Sequence, residues 1–275
     1  MLKAAVEYLY SIIVELLTGM NGLGSGLNAS LGKYNQVYNG AVKVGTNIAY
    51  PIATQILAIF LGIELIHVCL RALENGGSTA ISGCMKATIK FMVCYNILLR
   101  WRTILVALFN ISKQCTSGIE NQITVPEASS IWNNTTSGLL ESIEQIATGE
   151  ALAAIPLLLI ALLIVLLATL FVKVIIMLRF INLYVLLAFA PIPMATLMGE
   201  GQWNMGIGFL KNWLGACFHG CVLFFVIKCY TLFGQYFMEN TNSLIGACAS
   251  IMGVNILLIV VLFSTERTAM KIFGA

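Results

Sequence analysis

The chain has 275 residues, of which 59% are hydrophobic and only 10% are charged, and its formal net charge is +3. Soluble domains average about 25% charged residues, so this composition excludes an ordinary water-soluble domain. The small net charge leaves no basic face for strong nucleic-acid binding, which excludes a dedicated DNA- or RNA-binding domain.

The first predicted element is an amphipathic helix over residues 1–20. Apolar side chains recur there with a helical period on one face, while Lys3, Glu7, Ser11 and Glu15 lie on the other face. Such a helix either lies in the membrane interface or docks on a partner subunit. The two carboxylates also argue against a cleaved signal peptide.

Residues 21–47 are predicted to form a flexible linker and a pre-membrane segment, because glycine is frequent between Gly19 and Gly26. Small residues then recur at every fourth position: Ala41, Gly45, Ala49 and Ala53. A ladder of this kind lets two helices approach closely within a membrane, so these four residues are candidates for helix packing.

Residues 48–264 are predicted to form a transmembrane helical domain, which makes the chain an all-α polytopic bundle of five or six spans. The expected spans lie near residues 49–70, 87–111, 151–173, 212–237 and 244–263. A long extramembrane loop at 112–149 carries several glutamates, and a short basic tail occupies 265–275.

The third of these spans belongs to an apolar run from Ala151 to Ala190, which only Lys173 and Arg179 interrupt. As a helix, the run would extend for ~60 Å, about twice the hydrocarbon thickness of a bilayer. Residues 174–190 are therefore either a further crossing or a helix that enters the membrane and returns. The two basic side chains are expected to snorkel to the cytoplasmic headgroups. Two prolines, Pro191 and Pro193, mark a helix break.

The distribution of basic residues predicts the orientation. If the N-terminus is outside and residues 174–190 do not cross, the basic residues facing the cytoplasm are Arg71, Lys86, Lys90, Lys173, Arg179, Lys211, Arg267 and Lys271. A sixth crossing would instead place both termini and the acidic loop inside. The five-span model in the cell membrane, with the N-terminus out and the C-terminus in, fits the charges better.

Several ionisable residues fall inside the predicted spans, where charges are costly and usually face protein or water. These intramembrane candidates are Glu64, His67, Arg100, Arg102 and Lys228. Glu64 and His67 lie one turn apart, so they could form a helix-packing pair or line a water-filled path. A carboxylate-bridged metal site would need this motif twice with two further glutamates, and only one copy exists. The two arginines interrupt the second span, which is therefore expected to be short, tilted or partly extramembrane.

Catalytic motifs are missing from the sequence. There is no Walker-type phosphate loop, no Ser/His/Asp set and no His-Glu-x-x-His, and two histidines without any aspartate leave few catalytic groups. Cys217 and Cys221 flank His219, but no second pair of ligands follows. All eight cysteines are expected to be reduced. The sequence thus predicts a protein that is not an enzyme and has no catalytic, cofactor-binding or metal-binding residues.

The second half of the chain carries a family resemblance. The long apolar helix continues as Phe180-Ile-Asn-Leu-Tyr-Val-Leu-Leu-Ala-Phe-Ala-Pro-Ile-Pro-Met194, and a short Gly/Trp loop, a Trp-bearing span and a last span with a basic tail follow. This order resembles the TrbL-like, or VirB-six-type, polytopic membrane proteins of conjugative type IV secretion systems, and in particular their compact Gram-positive versions. The likeness covers residues 151–275 in detail and the first half by layout.

The resemblance implies a non-enzymatic channel or scaffold subunit of the transfer machinery. It further implies a homo-oligomer that contacts the secretion ATPases and other membrane subunits, with single-stranded DNA and relaxase as transient cargo. One alternative is a solute transporter or ion channel that uses Glu64, His67 and Lys228 as coupling or selectivity groups. Another is a membrane scaffold or immunity-type protein without a transport role.

Overall fold

The computed structural model describes residues 2–27, 29–75, 78–123, 148–199, 201–239 and 244–274, and within these residues it contains helices and no strands. The helices are α1 (Leu2–Leu27), α2 (Asn35–Val44), α3 (Tyr50–Asn75), α4 (Ser78–Leu99), α5 (Trp101–Gln122), α6 (Thr148–Phe189), α7 (Pro191–Ala195), α8 (Trp203–Glu239) and α9 (Leu244–Ile272). A π-helical turn (Gly45–Ala49) joins α2 to α3, and a 3₁₀ turn (Thr196–Met198) follows α7. The predicted all-α polytopic fold is confirmed.

Four stretches among the described residues are long and apolar enough to cross a membrane: Leu31–Arg71, Ile155–Phe189, Trp203–Phe237 and Ile245–Ile272. Helices α4 and α5 pass the same test together, although they are bent by 65°. The described part of the chain thus has four candidate spans, or five if the bent pair counts as one.

The apolar run of the third predicted span folds as one helix. Helix α6 contains 42 residues, which corresponds to about 63 Å at the rise of an α-helix. Residues 174–189 continue this helix, and they neither turn back nor begin a separate span. The sequence left open whether this segment crosses or returns, and the structure replaces both alternatives with a single long helix.

The second predicted span differs from the structure in its shape. Instead of one helix over 87–111, α4 ends at Leu99 and α5 begins at Trp101, with the bend at Arg100. Trp101 is buried at this bend while both neighbouring arginines stay exposed. Helix α5 then continues to Gln122, past the predicted start of the polar loop at 112, and residues 124–147 of that loop lie outside the described residues.

The N-terminal helix is longer than the sequence predicted. Helix α1 continues through the glycine-rich segment that was expected to be a flexible linker and ends at Leu27. Buried side chains recur every three or four residues from Val6 through Tyr10, Ile13 and Leu17 to Met20, and Leu27 is buried seven residues further on. Each glycine in a helix costs about 1 kcal/mol relative to alanine. Burial of Met20 and Leu27 offsets part of this cost, and the apolar face is buried within the chain itself.

The chain divides into two compact units. Unit 1 comprises residues 1–29, 113–179 and 219–268, and unit 2 comprises residues 30–112, 180–218 and 269–275. Within unit 2, α3 and α4 pack against each other and against the turn formed by α7 and the 3₁₀ segment after it. The proposed division into an N-terminal helix, a linker, a membrane domain and a tail stays a sequence-based prediction.

Candidate functional site

Unit 1 contains a buried cluster of polar side chains around Arg179 of helix α6. The Arg179 side chain is only 4% exposed, and its Nη1 donates a hydrogen bond of 3.3 Å to the carbonyl oxygen of Leu27. Leu27 is the last residue of α1, where carbonyl groups have no partner within the helix and carry partial negative charge. Arg179 therefore caps the C-terminus of α1. The expectation that Arg179 snorkels to the headgroups is wrong, while Lys173 is exposed.

A glycine makes room for this guanidinium group. A β-carbon at Gly220 of helix α8 would overlap the guanidinium carbon and both terminal nitrogens of Arg179. Because only glycine lacks a β-carbon, Gly220 allows α8 to pass directly against the buried cation. The helices α1, α6 and α8 thus meet at one point of unit 1.

The neighbouring residue, His219, extends the cluster to helix α9. Its Nε2 lies 3.0 Å from the hydroxyl oxygen of Thr265, and both side chains are buried. The Thr265 hydroxyl donates its one hydrogen to the carbonyl oxygen of Leu262 at 2.7 Å. The hydroxyl oxygen must then accept from His219, which assigns the imidazole hydrogen to Nε2.

A second polar contact joins α8 to α9 further along unit 1. The Tyr230 hydroxyl donates to the Asn255 side-chain oxygen at 3.2 Å, and the Asn255 amide donates to the Ile251 carbonyl at 2.8 Å. Residue numbers rise along α8 and fall along α9 between this contact and the one at His219, so the two helices are antiparallel. Hydrogen bonds of this kind hold helices together where lipid supplies no hydrophobic force.

In unit 2, the predicted small-residue ladder lies at a close helix approach. Gly45, Ala49 and Ala53 are buried, and Ala41 is half-buried. A β-carbon at Gly45 would lie 2.7 Å from the Trp101 ring and 3.3 Å from the carbonyl oxygen of Ala188. The ladder therefore faces other helices of this chain, and it includes the π-helical turn at Gly45–Ala49.

The two prolines lie where the long helix ends. Helix α6 stops at Phe189, and Pro191 occupies the first turn of α7, where the missing N–H of proline costs nothing. The segment predicted as a loop after Pro191 is buried from Met194 to Gly199. A β-carbon at Gly199 would lie 3.0 Å from the ring of Phe60 in α3, so this turn packs tightly within unit 2.

The five intramembrane candidates do not form one cluster. In α3 of unit 2, Glu64 is half-buried and His67 is exposed. At the bend, Arg100 and Arg102 are exposed, and the Arg102 Nε donates to the Tyr38 hydroxyl at 3.2 Å. In unit 1, the half-buried Lys228 lies over the ring of Phe224, with its Nζ 5.5 Å from the ring centroid.

Sequence reasoning missed the buried cluster around Arg179. Two signals were available. The arginine within the apolar run was interpreted as a snorkelling charge, and His219 was considered only as part of an incomplete metal motif with Cys217 and Cys221. Among the described residues, no group of three or more histidine, cysteine or acidic side chains could hold a metal ion. The polar contacts of Arg179, His219 and Tyr230 are hydrogen bonds between helices.

A comparison with family models decides the classification. The model described as "TrbL/VirB6 plasmid conjugal transfer like protein" matches residues 31–191, which is more than half of the chain. The chain belongs to this family. The match begins well before the region where the sequence resemblance was strongest, and it includes both the small-residue ladder and Pro191. A search of curated proteins finds no significant match.

Membership of the family establishes the general character of the protein. It is a multi-pass membrane component of conjugal transfer, as the resemblance implied. The family is one of structural conjugation subunits.

Proposed function

We propose that this protein is a channel or scaffold subunit of a conjugative type IV secretion system. It helps to move single-stranded DNA and relaxase across the cell membrane, as a homo-oligomer in contact with the secretion ATPases. The observation that carries this proposal is the family match over residues 31–191. Four candidate membrane spans among the described residues, or five with the bent pair, also support it.

The exposed side of α6 supports assembly with other subunits. Large apolar side chains are exposed along this side after Lys173: Val174, Met177, Leu178, Ile181 and Val185. The apolar part of the helix has 35 residues and is about 52 Å long, well beyond the hydrocarbon thickness of about 30 Å. Lipid alone covers such a length only at a steep tilt, whereas a neighbouring subunit would cover the remainder.

The packing of α5 and α8 supports the five-span topology. Within unit 2, the Trp213 Nε1 donates to the Leu105 carbonyl at 3.2 Å, and the Ser112 hydroxyl donates to the Cys217 carbonyl at 2.7 Å. The residue numbers rise together on both helices, so α5 and α8 are parallel. Five alternating spans make the second and fourth parallel, whereas a sixth crossing between them would make these two helices antiparallel.

Transfer of the element from a donor strain tests the function. We expect deletion of the gene to reduce transconjugants by several orders of magnitude and the wild-type chain to restore them. Transferring DNA should also crosslink to an epitope-tagged chain in formaldehyde-treated donors, and a tagged unrelated membrane protein serves as control. Unchanged transfer after deletion would contradict the proposed function. Normal complementation without crosslinked DNA would contradict a direct contact between this protein and the transferring DNA.

Cysteine labelling tests the proposed topology in a chain whose eight cysteines are replaced by serine. Gln114→Cys and Gly201→Cys are suitable because both positions are exposed, whereas the tightly packed Gly199 is not. The five-span model predicts that an impermeant maleimide added to whole cells labels position 114 and spares position 201. Labelling of 201 alone would overturn the orientation.

A further inference from the structure

Two cysteine thiols meet in unit 1 on different helices. Cys115 belongs to α5 and is exposed, and Cys221 belongs to α8 and is buried. The two side chains lie beside each other, and no bond joins the thiols. Cys115 falls within the extramembrane loop predicted at 112–149, but the continuation of α5 to Gln122 makes this position helical.

A second contact fixes the same approach of the two helices. The hydroxyl oxygen of Thr116, the residue next to Cys115, lies 3.2 Å from the Cys221 sulfur. Thr116 and Cys221 are both buried, so this contact is shielded from solvent. The position of Cys221 is further restricted on its N-terminal side, where Gly220 packs against the Arg179 guanidinium.

We propose that Cys115 and Cys221 form an oxidisable pair, a modification site at which a disulfide bond fixes α5 to α8. A disulfide has a sulfur–sulfur bond of about 2.05 Å, so thiols that already lie beside each other need only a small movement of their side chains to form it. The other cysteines of the chain serve as internal references, because Cys69 is also exposed but lies on α3 in unit 2.

The difference in exposure assigns a role to each thiol. The oxidant is a small compound that contains a disulfide bond. The Cys115 thiolate, after losing its proton to solvent, attacks one sulfur of that disulfide, which forms a mixed disulfide and releases one thiol. The Cys221 thiolate then attacks the Cys115 sulfur, which forms the intramolecular bond and releases the second thiol. The two cysteines lose two electrons and two protons, and the oxidant gains both.

The disulfide would tie the end of α5 to the centre of the polar cluster of unit 1. Cys115 lies in the last two turns of α5, and Cys221 directly follows the glycine that admits Arg179. Oxidation therefore changes how freely the end of α5 can move relative to α8. The inference concerns this covalent chemistry and does not depend on the proposed role in DNA transfer.

The test uses the full-length chain in detergent and oxidised glutathione as the probe. After incubation and denaturation, we expect the number of maleimide-reactive thiols to fall from eight to six, and dithiothreitol to restore all eight. Proteolysis should give a linked peptide containing Cys115 and Cys221, lighter by two hydrogens than the sum of its parts.

Single substitutions provide the matched controls. Cys115→Ser should keep all seven of its thiols, while Cys69→Ser should fall from seven to five. Because Cys115 is exposed, Cys115→Ser is expected to fold, and size-exclusion chromatography checks this. A stable glutathione adduct on Cys115, a linked peptide with another cysteine, a dimer through Cys115, or eight thiols remaining after oxidation would each overturn the proposal.

Discussion

The two units of this protein differ in the side chains that they bury between their helices. Unit 1 buries hydrogen-bonding side chains, among them Arg179, His219 and Tyr230, between its helices. Unit 2 also has hydrogen bonds between helices, such as the one from Trp213 to the Leu105 carbonyl, but its closest approaches are at Gly45 and Gly199, which have no side chain. Lipid tails are as apolar as leucine, so burial of apolar surface does not drive helix association in a membrane. Polar contacts and close packing are the two remaining ways to hold helices together in a membrane, and the two units show both.

The strongest test of the buried cluster in unit 1 adds a single carbon atom. Gly220→Ala should lower the free energy of unfolding by about 3 kcal/mol, because the new β-carbon must displace a buried guanidinium. Gly253→Ala is the matched control, because nothing lies within 4 Å of a β-carbon there, and it should be neutral or stabilise α9 by up to about 1 kcal/mol. Unfolding in mixed micelles measures both. Equal effects of the two substitutions would show that Gly220 does not pack against the guanidinium of Arg179.

A second change in unit 1 removes the charge of Arg179 and keeps a long side chain in its place. Arg179→Met should loosen the end of α1, because the carbonyl of Leu27 loses a charged hydrogen bond worth roughly 1.5–3 kcal/mol. Hydrogen exchange of the backbone amides of α1 should become faster by about 10-fold or more. Lys173→Met, an exposed cation on the same helix, should leave this exchange unchanged. Unchanged exchange in both variants would show that Arg179 does not cap α1.

The corresponding test of unit 2 is expected to have a smaller effect. Gly45→Ala places a β-carbon 2.7 Å from the Trp101 ring and should cost about 1–2 kcal/mol, because the ring can give way in part. Gly40→Ala, in the preceding helix α2, meets no neighbour and should be neutral or stabilising. The double variant with Trp101→Leu should recover most of the loss in a double-mutant cycle. Independent, additive effects would argue against the close approach.

The smallest expected effect comes from a single hydrogen bond of unit 1. Tyr230→Phe keeps the ring and removes the hydroxyl that donates to Asn255, so it should cost about 0.6 kcal/mol and at most about 1.7 kcal/mol. Tyr236→Phe, an exposed tyrosine on the same helix, should change stability less. Mixed-micelle unfolding of both variants gives the comparison. A cost above 2 kcal/mol would mean that the contact is part of a larger network.

Local patterns were easier to recognise in the sequence than contacts between distant segments, for a physical reason. The ladder from Ala41 to Ala53 is a local pattern with a fixed period, and the apolar run of α6 is a continuous local stretch. Whether Arg179 snorkels or is buried depends on a glycine 41 positions later and on the end of α1. The glycines of α1 suggested a linker because their local cost is visible in sequence, whereas the burial of Met20 that offsets it is not. The bend at Arg100 likewise lacks a proline or glycine to announce it.

The length of α6 has a mechanical consequence. Because the helix is continuous over about 63 Å, it can act as a lever that reaches beyond one face of the bilayer. A change of about ten degrees in its inclination displaces one end by about 11 Å relative to the other. A contact made at one surface of the membrane can thus move the opposite end of α6 through a tilt of the whole helix, and the helix itself need not change its conformation.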